Sequence, residues 1–143
     1  MLSKSSTYAI RAVLYLALHS DVTKKYSPQQ IADAISIPAP FLAKTLQILT
    51  KRSLVSSIKG RNGGFYLTEE NQKNSLISIV DSIDGLSKFY ECMLGLPVCG
   101  DDNPCPIHHA VAPVKKQLIE QLTLKTIKDL IEEVKKGNTH IFL

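Results

Sequence analysis

The sequence predicts a mainly α fold with one small β-hairpin. Two observations predict it. Apolar residues recur at helical spacing in several segments, each opened by a Ser, Thr or Pro signal. Two β-rich runs, Leu54–Ile58 and Phe65–Thr68, flank the basic, glycine-rich turn 59–64.

The elements follow in order. Ser5 or Ser6 can cap a first helix ending near His19. Its apolar residues, from Ala9 to Leu18, cover most of its circumference, so it is buried on more than one side. Ser27 followed by Pro28 reads as an N-cap and first helical residue, opening a second helix that ends at Ile35. Pro38 and Pro40 bound a tight connector, and Pro40 opens a third helix to about Arg52. The hairpin comes next. Ser75–Ile83 is a further short helix, and residues 86–104 read as loop. Cys105-Pro106 opens a long helix to about Leu122, with Pro113 as a kink or restart. Thr123 caps a last helix, Leu124–Lys136, which Gly137 stops.

Composition narrows the function classes. The 143 residues are one domain's worth, with 44% hydrophobic and 21% charged residues, as in an ordinary globular protein. The longest apolar stretch is interrupted by Arg11 and too short to span a bilayer, so no membrane partner is expected and the location expected is cytoplasmic. Trp is absent and aromatics are 6%, which argues against a stacking platform for single strands. The net charge of +4 is unevenly spread. Residues 1–65 hold nine cations and two carboxylates, net +7; residues 66–143 hold eight cations and eleven carboxylates, net −3. A basic half joined to an acidic half suggests a module facing nucleic acid.

Two short helices, a tight turn and a basic hairpin make a winged helix-turn-helix. Its third helix fits the major groove of double-stranded DNA and offers Ala39, Pro40, Ala43, Lys44, Gln47 and Lys51. Lys44 can donate to guanine or phosphate, and Gln47 can bond adenine. The hairpin tip carries Lys59, Arg61 and Asn62 between glycines, which suits a narrow, electronegative minor groove. The bland alternative is a helical domain with a solvated basic face.

The second constellation is Cys92-x6-Cys99-x5-Cys105-x2-His108. Three cysteines cannot form a complete intramolecular disulfide set. Thiolates at this spacing suit zinc, Cu(I) or an iron–sulfur cluster, and the wide gaps favour a cluster over one ion. His ligation of one iron in a 2Fe–2S centre has precedent. A thiol redox switch and inert cysteines stay open beside it, as does a zinc- or thiol-based protein-interaction module without a cluster. His109, about 100° round a helix from His108, is the neighbouring alternative ligand. His19 and His140 have no partners in sequence, and no oxyanion-hole signature accompanies a Cys–His nucleophile, so an enzyme is not expected.

The opening KSSTYAIRAVLYLALH, the LVSSIKGRNGGFYL hairpin, ISIVDSIDG and CPIHHA…LTLKTIKDL together resemble the Rrf-type bacterial winged-helix regulators, over about residues 1–134. The resemblance is to the iron–sulfur-sensing branch, and most to its IscR-like members. It implies a homodimeric transcriptional regulator, a repressor by expectation, that binds a palindromic operator. A long C-terminal helix would cross its partner, with Val111, Val114, Leu118, Ile119 and Leu122 as the seam. The implied division is a DNA-binding domain over 1–85, a cysteine-bearing sensor loop over 86–105 and dimerisation helices over 106–137. Cys92, Cys99 and Cys105 would ligate an iron–sulfur cluster that purified protein need not carry. His108 follows the third cysteine as in IscR-like members and favours 2Fe–2S. The 4Fe–4S alternative of NsrR-like members uses an N-terminal carboxylate, and that position falls at about Thr7. The recognition-helix acid that tunes site choice in IscR-like members is replaced by Ala43.

Overall fold

The computed structural model describes residues 2–143. Helix α1, Lys4–His19, is the hub. Ala9, Ala12, Val13 and Leu16 are fully buried along it, as its all-round apolar pattern predicts. Ser3, not Ser5 or Ser6, is its N-cap and accepts from the Ser6 amide. Ser6 is instead buried, and its hydroxyl donates to Asp84 at 2.7 Å.

Helix α2, Pro28–Ile35, starts where predicted. Ser27 and Gln30 form a reciprocal capping box. The left-handed Ser36 ends it, and α3, Ala39–Lys51, follows with Pro40 inside its first turn. Leu42, Leu46 and Leu49 of α3 are fully buried. Arg11 of α1 donates to the Ile35 carbonyl at 2.6 Å, so a guanidinium closes the C-terminal end of α2 at the turn.

Strands β1, Ser56–Ile58, and β2, Gly64–Tyr66, pair antiparallel with Ser57 opposite Phe65. Glycine is required where the turn closes. A Cβ on Gly63 would lie 2.0 Å from the Ile58 carbonyl oxygen, and one on Gly64, at φ +146°, 2.9 Å from that of Tyr26. Tyr26 also bridges to Phe65 through both backbone hydrogen bonds, adding a third short segment to the hairpin.

Helix α4, Glu69–Gln72, has no signal in the apolar pattern because it is a single turn capped by Thr68. Its Asn71 is buried; its side-chain amide donates to the Ser53 carbonyl, and its side-chain oxygen accepts from the Ser56 hydroxyl, which roots the hairpin. Helix α5, Leu76–Asp84, starts after Ser75, whose hydroxyl pairs with that of Ser78 and makes no side-chain cap. A one-turn helix α6, Ser87–Tyr90, interrupts the predicted loop.

Helix α7, His108–Leu124, starts three residues after Cys105 and runs through Pro113 without a break. A proline here forfeits one intrahelical bond, yet α7 stays continuous. The cap of the last helix moves from Thr123 to Thr126. The Thr123 hydroxyl donates back to the Ile119 carbonyl, and Thr126 builds a capping box with Asp129 for α8, Ile127–Lys135. Leu124 is therefore exposed, not an inner position of α8.

Residues 106–137 do not form one separate layer. Ile127 and Ile131 of α8 belong to the same core cluster as α1, and Thr126 bridges to Ser75. Only α7, with Leu122 as its one buried residue, extends away from that core.

The Ser6–Asp84 pair ties α1 to α5. Burial alone would raise the Asp84 carboxyl pKa, but hydrogen bonds from Ser3 and Ser6 outweigh it and hold it below the usual carboxylate value. Such a group stabilises the fold fully above the unfolded carboxylate pKa and loses that contribution as pH falls through its own lower one. Asp84→Ala, which strands the buried Ser6 hydroxyl, is expected to cost about 1–3 kcal/mol at neutral pH. In urea titrations the gap to the parent chain should close on acidification; a gap independent of pH would refute the charged pair.

Candidate metal centre and nucleic-acid interface

The three cysteines come from three places. Cys92 follows α6, Cys99 lies within the Gly/Pro-rich loop, and Cys105 sits in the turn before α7. Their sulfurs all lie within 4.8 Å of one another. Cys92 and Cys105 sulfurs are 3.8 Å apart, and the Cys99 sulfur is 3.3 Å from His108 Nδ1. Cys105 is buried and the other two are half-buried.

Helix geometry does not place Cys105 and His108 on one face, as their spacing suggests. Cys105 precedes the helix, and its carbonyl accepts from the His108 amide in a turn. His108 touches Cys99 but lies outside the trio of mutually close sulfurs. Its Nε2 contacts Asp101 at 3.0 Å. Asp101 is thus an orienting group that sequence reading missed, although it stands in the CGDDNPC string. His109 is exposed and has no cysteine contact.

Backbone amides of Leu96, then Leu94, point at the Cys92 sulfur and pull its pKa down to about 7, against the opposing cost of burial. The Cys105 backbone amide favours the Cys99 thiolate, but burial and the two neighbouring thiols outweigh it and raise the Cys99 pKa. The candidate centre therefore holds one readily ionised thiol, Cys92, beside a Cys99 thiol that resists sharing negative charge. Soft sulfur donors with an imidazole match zinc, Cu(I) or iron–sulfur chemistry.

A groove of about 550 Å³ opens beside the cysteines, walled by Phe89 and Met93 on one side and Val111, Lys115 and Ile119 of α7 on the other. Lys115 donates to the Glu91 carbonyl at 2.5 Å and pins the segment before Cys92 to α7.

Along α3, Pro40, Lys44, Gln47 and Lys51 are exposed at spacings of four, three and four, one continuous stripe. Ala43 is half-buried. Ala39 packs partly against the core and offers less surface than its sequence position suggests. Lys59, Arg61 and Asn62 are all exposed at the hairpin tip. Among the described residues the salt bridges are Lys73–Glu70, His108–Asp101 and Lys128–Glu132. None involves any of the nine cations before Phe65.

The profile of the Rrf2 family, described as iron-dependent transcriptional regulator, matches residues 2–133. The chain belongs to the Rrf2 family. It is a transcriptional regulator of that type, and Rrf2 regulators bind DNA and are not enzymes. A relative from Aquifex aeolicus, assigned to the HTH-type transcriptional regulators, is 38% identical over 142 residues, covering 98% of this chain and 95% of its own. A regulator named NsrR from Shouchella clausii is 29% identical, covering 91% and 87%. Among solved structures, T. potens IscR superposes with a TM-score of 0.73 at 22% identity, covering 99% of this chain and 93% of its own. CymR, the global cysteine regulator of B. subtilis, gives 0.71 at 21%, covering 92% and 96%. These two likenesses show that the winged-helix fold is shared. No described helix of this Rrf2 regulator is long and apolar enough to cross a membrane.

The α7 stripe is divided by the fold. Val114 is exposed; Val111, Leu118 and Ile119 are half-buried; Leu122 is buried within its own chain, so it is not free to serve as open seam.

Differential alkylation of the metal-free chain checks the electrostatics. Cys92 should react at half its maximal rate near pH 7, with Cys99 following only at higher pH. Peptide mass mapping that finds Cys99 the more reactive would reverse this assignment.

Proposed function

We propose that this Rrf2 regulator is a homodimeric repressor that reads a palindromic operator and senses iron–sulfur, redox or nitrosative status through Cys92, Cys99, Cys105 and His108. The observation that carries it is the convergence of the three thiols at the root of α7. The relatives named NsrR and IscR support it as kin.

The donor set fits a small cluster. Metal–thiolate bonds of about 2.3 Å put two sulfurs on one tetrahedral metal about 3.8 Å apart. Cys92 and Cys105 stand at that separation, and Cys99 with His108 forms a second touching pair. Two pairs of donors suit a 2Fe–2S centre, with Asp101 steadying the imidazole. No carboxylate stands at Ser6, Thr7 or Tyr8 to serve a 4Fe–4S centre in the NsrR manner. When bound, such a cluster supplies one-electron chemistry and sensitivity to oxidants. A second reading has support too: three sulfurs this close also suit a single zinc ion.

The chain itself offers a route from sensor to reader. Cys105 immediately precedes the turn that starts α7, and Lys115 holds Glu91 against that helix. At its far end, the Lys125 carbonyl accepts from the Leu76 amide, while the Ile127 amide donates to the Asn74 carbonyl. A change in the order of residues 91–107 would thus reach α5 and the core through α7. In a dimer joined by Val111, Val114, Leu118 and Ile119, it would alter the spacing of the two α3 helices, and half-site spacing is what a two-fold reader is sensitive to.

The operator-facing side chains in this reading are Ala39, Pro40, Ala43, Lys44, Gln47 and Lys51, with Lys59, Arg61 and Asn62 in the minor groove. Nine cations without a carboxylate partner favour an anionic surface as their complement.

Protein purified under nitrogen should be coloured, with about two irons and two sulfides per chain. Zinc with no visible absorption would establish the second reading. His108→Ala should shift the visible spectrum; an unchanged spectrum places the fourth ligand elsewhere. Lys59→Ala with Arg61→Ala should weaken duplex binding and flatten its salt dependence by about two contacts while leaving metal content intact. Sedimentation should give twice the 15.8 kDa chain mass, and Val114→Glu should lower it.

A further inference from the structure

The segment between α1 and α2 carries Lys24 and Lys25, which lie outside the recognition helix and the hairpin tip. Asp21 closes this segment into a rigid turn. Its carboxylate accepts from the Thr23 hydroxyl and from the amides of Thr23 and Lys24, and residues 21 and 24 exchange two backbone hydrogen bonds. Two residues on, Tyr26 is locked to β2 by the paired hydrogen bonds with Phe65, at 3.0 and 2.8 Å. The two lysines are therefore fixed along the flank of the hairpin.

Each ammonium stands over an aromatic ring. Lys24 Nζ is 5.7 Å from the Tyr26 ring centroid, and Lys25 Nζ is 5.7 Å from that of Tyr66 in β2. Ring contacts hold a cation in place without neutralising it. The Lys25 stem also packs over the hairpin, since its Cβ lies 3.1 Å from where a Gly64 Cβ would be. No carboxylate pairs with either ammonium among the described residues. Asp21 commits one carboxylate oxygen to the turn and forms no ion pair with Lys24. Two cations held on the β2 flank, without an ion-pair partner among the described residues, extend the positive hairpin backward along its flank.

We propose that Lys24 and Lys25 are phosphate-contacting residues that clamp the duplex backbone beside the hairpin. This rests on the DNA-binding reading above. A hairpin tip in a groove leaves the bordering phosphates to the residues flanking the hairpin, and these lysines are there. Such contacts fix position on the duplex without reading sequence. The neighbouring Gly64 serves the same end: with a Cβ there the hairpin could not sit this close to Tyr26 and Lys25.

The test needs no known operator. A labelled 30-bp duplex of randomised sequence is titrated with the full chain between 50 and 200 mM NaCl, and log Kobs is plotted against log salt. Lys25→Gln should make the slope shallower by about 0.9, and Lys24→Gln with Lys25→Gln by about 1.8, each lost contact weakening binding roughly eightfold at 0.1 M salt. Lys25→Arg should restore the slope. Lys73→Gln, which removes a lysine already paired with Glu70, should leave it unchanged. A parent-like slope in the double variant overturns the proposal. So does an equal loss in Lys73→Gln, which would make the effect one of net charge. Absence of salt-dependent binding by the parent chain would instead remove the DNA reading on which the proposal stands.

Discussion

Burial of α1 is the constraint on which the rest depends. Four of its residues, Ala9, Ala12, Val13 and Leu16, have no exposed surface. Alanines at two of those positions let neighbouring helices approach closely, so α2, α3, α5 and α8 can share a single core around it. Its polar residues are used where it leaves that core. Ser6 bonds Asp84 at the C-terminal end of α5, Arg11 closes α2 at the turn, and Ser20, just past its end, accepts from the Leu67 amide beyond the hairpin. The turn of the helix-turn-helix, the hairpin and the approach to the cysteine segment all take their positions from one rod.

This arrangement separates two chemistries. The cations sit on the outer surface of α3, on the hairpin and on its flank, with no carboxylate near enough to pair with them. The thiols gather in residues 92–105, where α6, a loop and α7 meet. Between the two lies α5, bonded to α1 at one end and to the α7–α8 junction at the other.

The three-cysteine segment also shows how thiols can be arranged so that they could hold a metal. Backbone amides draw one thiol toward its ionised form, while neighbouring thiols resist a second charge. A dication or cluster resolves that conflict by neutralising the thiolates together, which is why such trios bind soft metals. In the proposed centre the His108 imidazole, in contact with Asp101, would serve as donor where a fourth thiolate would add more repulsion.

Much of the fold was legible because its signals are local. Ser27 and Pro28 start α2 through a cap and a preset φ, and glycines mark the hairpin because no side chain fits there. The charge split marked residues 1–65 as the basic half. The misreadings have a common physical cause. Ser3 and Thr126 won their helix ends over Ser5, Ser6 and Thr123 because a cap is decided by where the chain enters the core, and α4 and α6 are too short to show a period. What the sequence by itself determined was the longer helices and the hairpin, the basic face and the spacing of the three cysteines. Only tertiary structure decided that α8 returns to the α1 core, that Cys92 meets Cys105, that Asp101 backs His108 and that Lys25 lies on Tyr66. Those contacts join residues from one element to another, and no local periodicity encodes the path the chain takes between them.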